Sequence, residues 1–183
     1  GSDGRVVHYL TSPKVVQPVR VEGKWTAYSI LDLIAAADPP YHALIDTGAL
    51  VTGISNYGVA KHLLTKGLKT LKGVVYLDEY DRQMILIREG MKVMKLADSA
   101  LAWNERFSFY DQVHTTGMDI KQAADAIALL TLGKDMVFRD YAQGAFRMRG
   151  IGKGQTIQLL LVPEIVERIQ TEVSAGMGGS LGH

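Results

Sequence analysis

The chain contains no cysteine. That excludes a disulfide framework, a thiolate metal site and a cysteine nucleophile from these residues. Long hydrophobic runs are lacking too. No apolar stretch approaches the roughly 20 residues a membrane-spanning helix needs, and no secretory signal is visible. The expectation is an intracellular protein, cytoplasmic or nuclear, with no membrane partner. Charge of one sign is also missing. Twenty Lys and Arg oppose nineteen Asp and Glu, for a net charge of +1. Bulk electrostatics therefore argue for neither nucleic acid nor membrane, and only a local basic patch is left open. Proline is scarce, five in 183 residues, so each one punctuates the chain.

What is present reads as a globular domain. The composition is 47% hydrophobic and 21% charged, ordinary for a folded protein, and the length favours one domain with a sizeable core. Gly1-Ser2 reads as a cloning scar, which implies an excised piece whose active site is completed elsewhere. Apolar runs at Val6–Leu10 and Val15–Val21, interrupted by Pro13 and Pro18, predict edge strands within residues 1–23. Helical spacing over Trp25–Asp38 ends at Pro39-Pro40. Tyr41–Ile45 predicts a short strand. Ser55-Asn56 offers a cap for a helix that ends at Gly67. Gly73–Leu77 is a further strand. Met84–Arg88 and Met91–Leu96 flank Glu89-Gly90 as a hairpin. Phe107–Tyr110 and Ala126–Leu132 predict buried strands, Met136–Arg149 a helix, Thr156–Val162 a strand and Pro163–Val173 a last helix. Residues 174–183, rich in Gly and Ser, predict a disordered tail. Strands alternating with helices imply a three-layer α/β fold with a mostly parallel sheet and the hairpin as an insertion.

Several clusters bear chemistry. Arg139, Gln143 and Arg147 share one helix face at i, i+4 and i+8, with Arg149 at the helix end. Rigidly held guanidinium groups suit a phosphate; the alternative is a solvated basic face. Gly150–Thr156 is not a phosphate loop, because its glycines follow a helix and open a strand, the reverse of that motif. Thr115-Thr116-Gly117-Met118-Asp119 is a polar turn between apolar runs. Val74–Leu77 followed by Asp78-Glu79 has the form of a Walker B strand, in which the Asp holds Mg²⁺ and the Glu polarises water; the alternative is a polar strand end. Asp111 and His114 are spaced for an acid–base pair or for metal ligands, and His62 is expected to be exposed on its helix. Ala43–Ala49, with Asp46-Thr47-Gly48, has the form of the aspartic-protease turn of retroviral-type enzymes. Leu132-Gly133-Lys134-Asp135 resembles the segment that supports such a turn. Predicted helices close around Asp46 argue against a nearly all-β protease.

The order of polar turn, strand, arginine-faced helix, glycine turn and strand resembles the second RecA-like lobe of superfamily-two helicases and protein-translocation ATPases. There a Thr-x-Gly-x-Asp-Ile turn precedes a strand, and a helix bearing Gln-x-x-Gly-Arg-x-Gly-Arg follows. Thr115–Ile120 matches the first motif. Gln143 and Arg147 match the Gln and first Arg of the second, while Phe146 replaces its glycine and Gly150 stands at the second arginine, beside Arg149. From His42 to Pro163 the chain also resembles very large eukaryotic proteins commonly labelled ubiquitin hydrolases; without cysteine, such activity would reside elsewhere in the parent.

The resemblance implies a RecA-like, P-loop NTPase-type lobe over residues 1–173. Arg147 and Arg149 would be catalytic toward an NTP, with Asp46, Thr47, Gly48, Thr116, Gly117, Asp119 and Gln143 lining the nucleotide cleft. ATP or another NTP with Mg²⁺ is expected only together with a missing upstream first RecA-like lobe, and the substrate would be nucleic acid or polypeptide. The alternatives are an inactive interaction scaffold and a protease built on Asp46-Thr47-Gly48.

Overall fold

The computed structural model describes residues 16–113, 125–133 and 155–167. The strands are β1 (Val16–Arg20), β2 (Ala43–Ile45), β3 (Gly73–Leu77), β4 (Gln83–Ile87), β5 (Lys92–Lys95), β6 (Arg106–Tyr110), β7 (Ile127–Thr131) and β8 (Thr156–Leu161). The helices are α1 (Ala27–Ala36) and α2 (Asn56–Lys66), and residues 163–167 are helical. The predicted helix Met136–Arg149, the run Val6–Leu10 and the tail lie outside the described residues.

One eight-stranded sheet runs in the order β1-β8-β7-β2-β6-β3-β4-β5. From β1 to β3 all neighbours are parallel. β4 and β5 continue the sheet antiparallel at one edge. The protein is thus an α/β fold with a mostly parallel sheet. The apolar runs carry this outcome: β3 and β6 are buried along their whole length, as strands covered on both faces must be. Pro18 sits on β1, which among the described strands pairs with β8 alone, so its missing N–H interrupts no inner ladder there. β5, sequence KVMK, is the opposite edge.

α1 and α2 pack on one face. Ile30, Leu31 and Ile34 of α1 and Val59 and Leu63 of α2 meet Leu44, Val74, Phe107, Phe109, Leu129 and Leu160 of the sheet. Each such fully buried side chain contributes about 1.5–3 kcal/mol of burial free energy. The alternate residues of the same strands, among them Ala43, Ile45, Val75, Tyr110, Ala128, Leu130 and Ile157, form a second apolar cluster on the other face. Arg106 and Ser108 of β6 are buried as well, and neither Arg106 Nε nor Ser108 Oγ has a hydrogen-bond partner among the described residues.

Local chemistry sets the helix ends. Thr26 caps α1 through a reciprocal box with Ser29. Ser55 Oγ accepts from the Gly58 N–H at the start of α2. Gly67 is the C-cap of α2, as its sequence position suggested, but its φ of 173° is extended backbone open to any residue. Glycine is needed there for space. A Cβ would overlap the Ala35 carbonyl oxygen at the end of α1, and Leu68 N–H bonds that same oxygen.

The α2 C-terminus is finished from a distant strand. The guanidinium of Arg88, just past β4, donates to the carbonyls of Leu64, Gly67, Leu68 and Leu71 at 2.9, 2.8, 2.7 and 3.2 Å. His62 corrects the expectation of an exposed ring. Its side chain is 17% exposed, with Nε2 2.6 Å from Asp32 Oδ1 of α1 and its ring 5.0 Å from that of Tyr28. Exposure fails there because α1 packs beside α2, a tertiary contact.

Candidate functional site at the carboxyl edge

Parallel strands deliver their following loops to one edge. Here β2, β6, β3 and β7 bring Asp46, Asp111, Asp78 and Thr131 to that edge. β2 lies between β6 and β7, and its chain goes on to α2 and β3. Reversals of this kind create ligand crevices in open α/β sheets.

Asp46 is 1% exposed. Its Oδ1 accepts from Thr131 Oγ1 at 2.7 Å and Leu50 N–H at 3.0 Å, and its Oδ2 from Val51 N–H at 2.9 Å. Thr131 Oγ1 in turn accepts from Gly48 N–H at 2.9 Å. One hydroxyl thereby joins the loop after β2 to the end of β7. Burial pushes the Asp46 carboxyl above its ordinary pKa. The bonds from Thr131, Val51 and Leu50 pull it down, and the nearby Asp111 raises it further.

Gly48 completes the closure. A Cβ there would lie 2.5 Å from the Leu132 carbonyl carbon, so only glycine allows this approach. Leu132-Gly133 does support the Asp-Thr-Gly turn, but inside a parallel sheet. Both carboxylate oxygens of Asp46 are thus engaged by its own loop and by β7. Thr47 Oγ1 is buried with no hydrogen-bond partner among the described residues.

Asp78 also serves its own turn. It accepts from the N–H groups of Tyr80 and Arg82, each at 2.9 Å, and from Arg82 Nε at 2.7 Å. Burial raises the Asp78 pKa, but these donors outweigh it and the carboxyl lies below its ordinary value. Asp78 thus organises the β3–β4 turn.

Beside it lies an open cleft of about 570 Å³ between the start of α2 and the ends of β3 and β6. Asn56, the first residue of α2, spans it, donating through Nδ2 to Leu77 O at 2.9 Å and Asp111 Oδ2 at 2.6 Å. Tyr57 and Tyr76 meet edge to face, ring centres 6.3 Å apart. The Tyr76 phenol is raised by burial first, then by Tyr57 and Asp78.

Of the sequence-predicted site, Asp46, Thr47 and Gly48 reach the carboxyl edge, as do Asp78, Glu79 and Asp111. Thr115, Thr116, Gly117, Asp119, Gln143, Arg147, Arg149 and His114 lie outside the described residues. Among those described, no group of three or more His, Cys, Asp and Glu could hold a metal ion, and no helix is long and apolar enough to cross a membrane. Sequence reasoning missed Thr131 and Asn56. Thr131 has a signal, a lone hydroxyl closing the apolar run IALLT; Asn56 reads only as part of a cap. No family model, curated protein or solved structure matches this chain.

Proposed function

We propose that the chain is a RecA-like lobe of a helicase- or translocase-type motor, completing an NTP site held mainly by another lobe. The observation that carries this reading is the strand order around β2, with polar loops opening at one carboxyl edge. Gly117 and Asp119 belong to the connection that leaves this edge after β6. Gln143, Arg147 and Arg149 belong to the connection that leaves it after β7. Two connections starting on either side of β2 at one edge are suited to bring an acidic turn and arginines to a shared cleft. Arginines there would stabilise charge on a transferring phosphoryl group. Nucleic acid or polypeptide would be the substrate.

The described part of the edge offers no phosphate cradle: Asp46, Gly48 and Asp78 are engaged in their own turns. In this reading a partner lobe would hold the nucleotide and its Mg²⁺. The test uses a longer chain that includes the upstream lobe. It should bind ATP, and Arg147→Ala should slow hydrolysis by about 10³-fold or more, as for an arginine finger, with binding retained. Absence of ATP binding, or unchanged hydrolysis, sinks the motor reading.

A second reading, an interaction scaffold on the same fold, is favoured by the internal use of Asp46 and Asp78. It predicts that Asp119→Asn and Arg147→Ala leave partner capture unchanged.

A further inference from the structure

The face of the sheet opposite α1 and α2 holds two polar groups that its apolar cluster does not account for. Arg106 is 8% exposed and Ser108 fully buried, and neither Arg106 Nε nor Ser108 Oγ has a hydrogen-bond partner among the described residues. Both stand on β6 at alternate positions, so they share a face. Phe107 and Phe109 between and beyond them go to the helix side. A buried polar group without a partner is rare in a folded protein and calls for a complement.

The strand positions beside Ser108 are small. Its ladder partner on β2 is Ala43, and the partner of Ala43 on β7 is Ala128. Both alanines are fully buried in the apolar cluster of this face. The next row toward the carboxyl edge, Tyr110, Ile45 and Leu130, is larger. Ser108, Ala43 and Ala128 thus form a low floor, with Arg106 at its β6 corner.

Charge selects the ligand. Burial pulls the Arg106 pKa down and the Tyr110 phenol offsets part of this, but a guanidinium stays protonated at neutral pH. Glu105, the neighbouring carboxylate in sequence, is committed to Lys72 Nζ at 2.7 Å and to the Ala102 N–H at 2.9 Å. A carboxylate brings one negative charge and accepts side-on from Nε and a terminal guanidinium nitrogen, and a serine hydroxyl can donate to it as well. A phosphate group brings about two charges to a site with one, and uncompensated charge in apolar surroundings is costly.

We propose that Arg106 and Ser108 bind the carboxylate of a small apolar monocarboxylic acid whose tail lies along Ala43 and Ala128. Arg106 opens β6 and carries the exposure of the pair, so the acid enters there, at the end of β6 away from the carboxyl edge.

The test follows the Arg106 Nε–H signal of the isotope-labelled chain, assigned by its loss in Arg106→Lys, during titration with sodium butyrate. Butyramide and inorganic phosphate at matched ionic strength are the controls. Butyrate should move that signal and the amides of Ala43, Ser108 and Ala128 saturably. Butyramide should not, and phosphate should bind more weakly. Ser108→Ala, one small residue for another, should weaken butyrate about fivefold, the worth of one hydrogen bond. Arg106→Met should abolish the response of the three amides; if that variant does not fold, the wild-type titrations and Ser108→Ala decide. Absence of a saturable shift, an equal response to butyramide, or phosphate binding as tightly as butyrate overturns the proposal. So does undiminished butyrate affinity in either variant. No outcome depends on ATP or Arg147, so the motor reading stands or falls separately.

Discussion

Arg88→Ala should destabilise the protein by about 3 kcal/mol, because one guanidinium closes the whole C-terminus of α2. Its bonds reach four carbonyls, those of Leu64, Gly67, Leu68 and Leu71. A hydrogen bond from a charged donor is worth about 1.5–3 kcal/mol net. Simple addition overstates the loss, since one charge serves all four acceptors and groups in one network do not add. Alanine leaves the carbonyls to find water. Leu64, Leu68 and Leu71 have buried side chains, so water reaches this corner poorly. Two carbonyls left dry at about 1.5 kcal/mol each give the figure above, and loss of the cation at the helix end adds about 0.5 kcal/mol. For a chain of this length the midpoint should fall by roughly 6–12 °C. Thermal and urea unfolding followed by circular dichroism give both numbers. Arg88→Lys keeps the charge, but a single ammonium cannot span the four acceptors, so it should recover less than half. If Arg88→Lys matches the wild type, or Arg88→Ala costs under about 1 kcal/mol, the fork geometry is not what finishes the helix.

Gly67→Ala should destabilise by about 2–3 kcal/mol, the range for overpacking against backbone, because the new methyl meets the Ala35 carbonyl; chemical denaturation measures it, and a neutral result would show that α1 and α2 part easily. The folded pKa of Asp46 lies above the ordinary carboxyl value. Its stabilising contribution is therefore fully present below the unfolded-chain pKa and lost as pH rises through the raised folded pKa. The stability of the wild type relative to Asp46→Asn should accordingly decline from acid to neutral pH, and unfolding free energies across that window showing a flat or rising difference would refute it.

The parallel core was legible because its determinants are local. Gly73–Leu77, Phe107–Tyr110 and Thr156–Leu161 are apolar runs too dense for a half-exposed strand. Glu89-Gly90 marks its hairpin through Gly90, whose φ is 71°. The carboxyl edge was legible only as a position. Which donors Asp46 would take depends on β7 becoming the neighbour of β2, and nothing near Asp46 names Thr131. In the sequence Arg88 only ends an apolar run, because its acceptors lie at the end of α2 and in the segment just after it, made much earlier in the chain. Asp78 is the instructive case. An apolar run followed by Asp-Glu suits a metal-binding strand, yet Tyr80 and Arg82, two and four residues on, were already placed to close a turn on it. His62 failed for the opposite reason: a polar residue on a helix says nothing about which helix will lie alongside.

The central strand β2 has a consequence for the order of assembly. It is three residues long, and its ladder partners are Ser108–Tyr110 and Ala128–Leu130. Both arrive far downstream, whereas β3 pairs with β4 and β4 with β5, their immediate successors. During synthesis the antiparallel end can zip up early, while β2 waits with its edges unpaired until β6 and β7 emerge. Loop-closure entropy must be met before those pairings give anything back, which makes such topologies slow to fold and exposed to misassociation while they wait. The middle of the sheet therefore commits after the β3–β5 end, and β1, whose partner is β8, commits later still.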